Sequence, residues 1–324
     1  MGCHVRPCIS VLVPARNEER TLHATLPAIL TAARELPQPA EVLVIMPPTS
    51  PFLANPPTDD PQLSWHGTPR PGKFNALRAG ADLARGQILI LVDADVLVEP
   101  DTFRFLAQPI LDGFADVVTG SIELLPRAAN AQQRLLERWA TTSFRCWEEL
   151  RANHPDLLWA LPGAIYGIRR DLFPRRPLVP IIDDASVGLH AKEAGSAFVH
   201  APGATVRTSA PANYWHWARQ KLRSRRGWAA LALLRPDEVS ELEMTFRQYL
   251  TSAADGGATS RLMYAQDSLL RFAARQLVRF ERSPSGSWKP ARRRDQWPGP
   301  AHADKGVSRP DDVLAPQAAR ARTK

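Results

Sequence analysis

Gly86-Gln87-Ile88-Leu89-Ile90-Leu91-Val92-Asp93-Ala94-Asp95 is a run of five apolar residues ended by two carboxylates. Five residues are too few for an independent helix, and every one is apolar, so the run reads as a strand buried on both faces of a parallel sheet. In open α/β sheets ligands gather at the carboxyl ends of strands, which puts Asp93 and Asp95 where a ligand is expected. Hard cations such as Mg²⁺ or Mn²⁺ take oxygens from one or two carboxylates and complete their shell with water and phosphate oxygens. Two acids one residue apart therefore suit a metal-bound diphosphate. Acids at strand ends also cap the following helix, and the pair alone does not decide between these readings.

Working outward, the same alternation recurs on both sides. Cys8 to Val13 is a short apolar run stopped by Pro14, followed by Ala15-Arg16-Asn17-Glu18-Glu19 and helical periodicity from Arg20 to Leu36. Glu41 to Ile45 gives a second buried strand. A proline-rich loop then runs to about Gly72, with at most one edge strand near Leu63 to Trp65, and Lys73 to Leu83 reads as the helix that feeds the Asp93 strand. Strands alternating with helices predict an α/β fold, a doubly wound and mostly parallel sheet with flanking helices. Further on, helices are expected over 100–111, 129–151, 187–194, 214–234 and 260–282, and strands over 115–122, 161–168 and 197–200. Ile181-Ile182-Asp183-Asp184 repeats the pattern of an apolar pair followed by two acids.

Composition narrows the function classes. No run approaches the ~18 apolar residues of a membrane span, and the first residues have no apolar signal core. Cys3, Cys8 and Cys146 form neither a disulfide framework nor a metal-ligand spacing, so a reducing cytoplasm is expected. The net charge of +8 invites a nucleic-acid reading. However, Ser283 to Lys324 carries nine Lys or Arg against four Asp, so most of the excess lies in a Pro- and Gly-rich tail read as disordered. No specific nucleic-acid partner is expected. The 260–282 helix sets Arg261, Arg271, Arg275, Arg279 and Arg282 against an apolar set that includes Leu262, Leu269, Leu270 and Phe272, a pattern for packing on its own domain or for lying on a membrane surface.

Several landmarks in chain order resemble the inverting, nucleotide-sugar-dependent glycosyltransferases of family 2, which have the GT-A fold. Ser10 to Glu19 is similar to that family's first strand and nucleotide-binding loop, Gly72-Lys73-Phe74-Asn75-Ala76-Leu77 to its Gly-Lys segment, and Asp93-Ala94-Asp95 to its Asp-x-Asp. Asp183-Asp184-Ala185-Ser186-Val187-Gly188-Leu189 resembles the segment whose second acid is the catalytic base. Trp217-Ala218-Arg219-Gln220-Lys221-Leu222-Arg223-Ser224 is similar to the Gln-x-x-Arg-Trp motif of the cellulose-synthase-like and ceramide-glucosyltransferase-like branches.

The resemblance implies a GT-A domain over residues 1–250, an amphipathic helical region over 251–282 and the tail over 283–324. It implies donor contacts from Pro14, Arg16, Asn17, Glu18, Lys73, Asp93, Asp95, Gln220 and Arg223, and acceptor contacts at Gly163 and Ala164. Asp184, with Asp183, would be catalytic, and Asp95 with Asp93 would hold Mn²⁺ or Mg²⁺. The implied reaction moves one sugar from a nucleoside-diphosphate sugar to a small or lipid-linked hydroxyl acceptor, in the cytoplasm or peripheral to the inner membrane face.

Each motif also has a plain reading. Asp183 and Asp184 could only cap a helix, Lys73 could be a solvated first-turn residue, and the Arg219 to Arg226 run could be a solvated face. Two departures stand out. The second strand runs into Met46-Pro47-Pro48-Thr49-Ser50 where the family commonly has acids that read the nucleobase, leaving Asp59 or Asp60 as substitutes, and Ser224 replaces the motif's Trp. These changes leave open a non-catalytic member that binds nucleotide or a partner. A nucleotidyltransferase would want a Gly-rich phosphate loop, and Pro14 to Glu18 has no glycine.

Overall fold

The computed structural model describes residues 8–254 and 258–282. Its centre is four parallel strands, β1 (Ile9–Pro14), β2 (Ala40–Met46), β3 (Leu63–Gly67) and β4 (Ile88–Val92), arranged with β3 at the edge, then β2, β1 and β4. Leu12 pairs with Leu43 on one side and Leu91 on the other, so the three strands are in step. Every residue of β2 and β4 is buried. The period-2 alternation sends the two halves of each strand to different cores. Val11, Val13, Val42, Val44 and Ile90 pack under α1 (Glu19–Arg34) and α3 (Thr102–Leu111), while Leu12, Leu43, Ile45, Leu89 and Leu91 pack under α2 (Lys73–Leu83).

The sheet continues from β4 through β7 (Ile165–Arg169), β6 (Val117–Leu125), β8 (Phe198–Ser209) and β5 (Leu97–Val98). β7 runs antiparallel to both β4 and β6, β8 is parallel to β6, and β5 is antiparallel to β8. The result is a mixed, mostly parallel α/β sheet with helices on both faces. At the strand-entry end the buried Glu41 carboxylate accepts from Ser10 Oγ at 2.7 Å and from Arg85 N and Nε at 2.7 Å. That bond set ties β1, β2 and the turn before β4 together, away from the carboxyl ends where the site lies.

Helix α4 (Ala131–Asn153) starts at Asn130, whose side chain accepts from Gln133 N, and α6 (Tyr214–Ala232) starts the same way at Asn213. Between them, α5 (Asp183–Glu193) follows a single 3₁₀ turn, Pro180–Ile182. Two further helices, α7 (Pro236–Ala254) and α8 (Ala258–Arg282), pack with α6.

The structure corrects several expectations. Ile181-Ile182 lies in a 3₁₀ turn, because Pro180 opens it and Ser186 Oγ closes it, accepting from Val179 N at 3.0 Å with its single proton shared between Ile182 O and Val179 O, each 3.1 Å away. Asp183 and Asp184 are thus the first residues of α5. The short strand expected over 197–200 extends to Ser209 through an irregularity opposite Thr119 and Ser121. α7 and the two-residue β5 were not anticipated at all. In α8 the simple amphipathic reading holds only in part: Arg261 and Arg275 are exposed, but Arg271 is buried, while Leu262, Leu269 and Phe272 are exposed. The tail over 283–324 and Cys3 lie outside the described residues.

Candidate active site

β4 ends at Val92, so Asp93 leaves the sheet at its carboxyl end, and its backbone N–H donates to Ala164 O at 3.0 Å. That bond fastens the Asp-x-Asp turn to the segment entering β7. Lys73, first residue of α2, bridges the same two elements: its Nζ lies 2.5 Å from Asp93 Oδ1 and donates to Gly163 O at 2.6 Å. Gly72 makes this possible by adopting φ 108°, a left-handed backbone that favours glycine. Burial alone would lower the Lys73 ammonium, but Asp93, Asp183 and Asp184 hold it above its ordinary range.

The acids themselves are under tension. Burial pushes Asp183 up to about 7, with Asp184 and Asp93 adding to it and Lys73 opposing. Asp184 is raised by the same burial, again with Lys73 opposing and Asp93 reinforcing. Asp95 is open to solvent, yet the surrounding protein, then Asp93 and Glu18, raise its carboxyl too. A set of carboxylates that raise one another is what a divalent cation or a bound cationic group would relieve. Among the described residues no three His, Cys, Asp or Glu side chains converge as a ligand set. A metal here would therefore rest on Asp95 and Asp93 and take its remaining oxygens from phosphate and water.

Gly163 is built into this arrangement. A β-carbon on it would lie 2.6 Å from Asp184 Oδ2, so the carboxylate occupies the space that any side chain would need. Asp184 Oδ1 accepts from Ala185 N at 2.8 Å, which fixes the carboxylate on the first turn of α5. Helix α5 is in turn pressed against the backbone at Gly188, where a β-carbon would lie 1.9 Å from Trp159 O.

The predicted residues are thus brought together unequally. Lys73, Asp93, Asp95, Asp183, Asp184, Gly163 and Ala164 share one cluster, and Glu18 reaches it electrostatically. Asn17 takes φ 59° in the loop after Pro14, and Arg16 is exposed, so this loop borders the cluster without bonding to it. Gln220 and Arg223 are exposed on α6 with no hydrogen bond or ion pair among the described residues. They share a stripe with Gly227, which packs on Ile181 and Ile182 just before Asp183. They face the right element but do not touch the cluster.

Asp60 does not stand in for a nucleobase-reading acid. It pairs with Arg34 and accepts from Gln62 N at the entry of β3, the end of the sheet opposite the site. Instead Ser50 Oγ donates to Glu19 Oε1 at 3.0 Å, which places a carboxylate by the exit of β2.

Two buried groups had no signal in the sequence beyond their strand and helix positions. Tyr166 of β7 is buried with its hydroxyl unpartnered among the described residues, and burial, then Asp183, Asp184 and Asp93, raise it well above the usual phenol range. Arg151 of α4 is buried, pairs with Glu148 at 2.9 Å and feels Asp184, although burial lowers its guanidinium overall. Glu148 also accepts from Ser121 Oγ at 2.5 Å and lies 3.2 Å from His200 Nε2, whose Nδ1 meets Thr119 Oγ1 at 2.9 Å.

Residues 66–227, half of the chain, match the family model described as glycosyltransferase like family 2. No curated protein sequence matches. Among solved structures, mannosyltransferase PcManGT from Pyrobaculum calidifontis, in complex with GDP-Man and Mn²⁺, aligns with a TM-score of 0.50 at 18% identity, over 85% of this chain and 84% of its own. Glucosyl-3-phosphoglycerate synthase from Mycobacterium tuberculosis aligns at 0.48 with 20% identity, over 70% and 79%. TarS 1-349 of S. aureus, in complex with UDP-GlcNAc, aligns at 0.45 with 14% identity, over 85% and 93%. The likeness to PcManGT, at 18% identity, is one of fold. Taken with the family match over the Gly-Lys segment, the Asp-x-Asp and the Asp183-Asp184 helix, it places the chain: it belongs to glycosyltransferase family 2 and is a glycosyltransferase of the GT-A fold.

Proposed function

We propose that this enzyme transfers a single sugar from a nucleoside-diphosphate sugar to a hydroxyl acceptor, with inversion and with the help of Mn²⁺ or Mg²⁺. The observation that carries the reading is the convergence of Asp93, Asp95, Asp183 and Asp184 around the Lys73 ammonium at the carboxyl ends of the sheet. A diphosphate leaving group concentrates negative charge, and a divalent cation on Asp95 and Asp93 would neutralise it where it develops. Lys73 supplies a fixed positive charge beside the same position. Arg223 and Gln220, from the α6 stripe, and the Pro14 to Glu18 loop, with Arg16 and Asn17, would enclose the nucleotide.

Asp184 is assigned as the base. Its carboxylate lies against Gly163, and burial raises it, which makes it a stronger proton acceptor than a carboxylate in water. An acceptor hydroxyl seated over Gly163 and Ala164 would give its proton to Asp184 while attacking the anomeric carbon from the face opposite the departing diphosphate. Asp183, deeper and beside Lys73, positions the pair. The acceptor is read as a small or lipid-linked alcohol. A cytoplasmic setting fits the free thiols of Cys8 and Cys146.

The test is thermal unfolding with a panel of nucleoside diphosphates, each with and without Mn²⁺, on wild type and Asp95→Ala. A ligand at 100 times its Kd stabilises by about 2.7 kcal/mol. One nucleotide that stabilises only with metal and only when Asp95 is present supports the reading. No stabilisation by any nucleotide overturns it in favour of a non-catalytic member of the fold.

A further inference from the structure

Helix α8 buries a charged network on its inner face and leaves a set of large apolar side chains outward. Arg271, 4% exposed, meets Asp267 Oδ2 at 2.7 Å and Glu243 Oε1 at 2.6 Å, and Arg225 of α6 closes on Asp267 from the other side. Ala274 and Val278 are the buried apolar residues of this inner face. The opposite side presents Leu262, Leu269 and Phe272 to solvent at 50%, 67% and 62% exposure, with Ala265 exposed between them. At helical spacing these four fall within about a quarter of the circumference, so they form one stripe.

The stripe is continued by α6. Tyr214 Oη lies 3.4 Å from Gln266 Nε2, one turn from both Leu262 and Leu269, and the next residue, Trp215, is 72% exposed. Around this apolar surface the exposed charges are mainly positive. Arg261 and Arg219 are exposed, Arg275 is exposed while paired with Glu243 of α7 at 2.9 Å, α6 contains no acidic residue, and the one acid among the described side chains of α8, Asp267, is turned inward.

We propose that the outer face of α8, with Trp215, docks on an anionic lipid bilayer, its apolar stripe at the boundary between headgroups and acyl chains and its arginines on lipid phosphates. A second copy of the chain is the poorer occupant, because a two-fold contact through this face would set one arginine rim against another. Trp215 sits on the same helix as the Gln220 and Arg223 stripe, so docking brings the site's border toward the lipid. That a lipid-linked hydroxyl then reaches Asp184 rests on the glycosyl-transfer reading; the docking itself does not.

The test is flotation of the full chain with vesicles of phosphatidylcholine alone and of phosphatidylcholine mixed equally with phosphatidylglycerol. Wild type is expected to float with the mixed vesicles and not with the neutral ones. Leu269→Glu combined with Phe272→Glu should weaken this by about tenfold or more, since charged groups replace the inserted stripe, with melting temperature and nucleotide binding unchanged. The proposal is overturned if wild type floats with neither vesicle, or if the double variant floats as well as wild type, which would assign the binding to the basic sequence after α8. It is also overturned if the substitutions instead abolish a concentration-dependent dimer. Absence of nucleotide binding would sink the glycosyl-transfer reading and leave the flotation result standing.

Discussion

The Asp184 carboxylate occupies the space a side chain at Gly163 would fill: a β-carbon there would lie 2.6 Å from Asp184 Oδ2, closer than real contacts allow. Gly163 also offers its carbonyl to Lys73, so moving it disturbs both the base and the cation. Gly163→Ala should lower kcat by about 100-fold, the usual cost of displacing a reacting group by about an ångström. Nucleoside-diphosphate affinity should change little. Steady-state kinetics alongside calorimetric binding separate the two, and an unchanged kcat would remove Asp184 from the reaction.

Lys73 is the positive charge that opposes ionic repulsion among Asp93, Asp183 and Asp184. Lys73→Met should weaken donor binding by about 10- to 100-fold, the range for a lost charge-assisted contact of 1.5–3 kcal/mol. It should also move the acid side of the pH–rate profile upward, because Lys73 lowers both Asp183 and Asp184. A profile that stays in place while affinity falls would restrict Lys73 to the donor.

The Asp183-Asp184 pair makes activity and stability run in opposite directions with pH. The base, Asp184, must be unprotonated, and burial raises its carboxyl above the usual carboxylate range, so turnover should fall on the acid side at a higher pH than an ordinary carboxylate would give. For folding, a carboxyl whose pKa is raised keeps its proton in the native state where the unfolded chain has lost it. The associated stability is full below the unfolded value near 3.9 and is lost as pH rises through about 7. Urea denaturation of ligand-free protein should show wild type losing stability relative to Asp183→Asn between about pH 4 and 7. Equal slopes for the two proteins would show that Asp183 is not buried in its neutral form.

Gly188 seats α5 on the backbone of Trp159, and a β-carbon there would lie 1.9 Å from Trp159 O. Backbone cannot give way as a flexible side chain can. Gly188→Ala should therefore cost about 3 kcal/mol, the upper part of the overpacking range, and should reduce turnover by tilting Asp184. Urea melts and kcat measured well below the melting temperature test both halves of this prediction.

The sequence by itself determined the sheet that positions the site. Ile88 to Val92 is apolar at every position and can only be satisfied inside a layered core, and the acids that follow must then leave at the strand's carboxyl end. Local chemistry, such as Asn130 and Asn213 at helix starts, also lies in neighbouring residues and could be read directly. Tertiary structure decided what depends on groups distant in the chain. The chain over the 90-residue separation of Lys73 and Gly163 carries no trace of their 2.6 Å bond. Asp60 looked available as a nucleobase reader until packing gave it to Arg34. Tyr166 and Arg151 were ordinary strand and helix residues until burial placed both within electrostatic reach of Asp184. Periodicity located an amphipathic α8 but could not say which side faces inward, because a buried ion network of Arg225, Asp267, Arg271 and Glu243 outbids an apolar stripe only when all four partners meet in space.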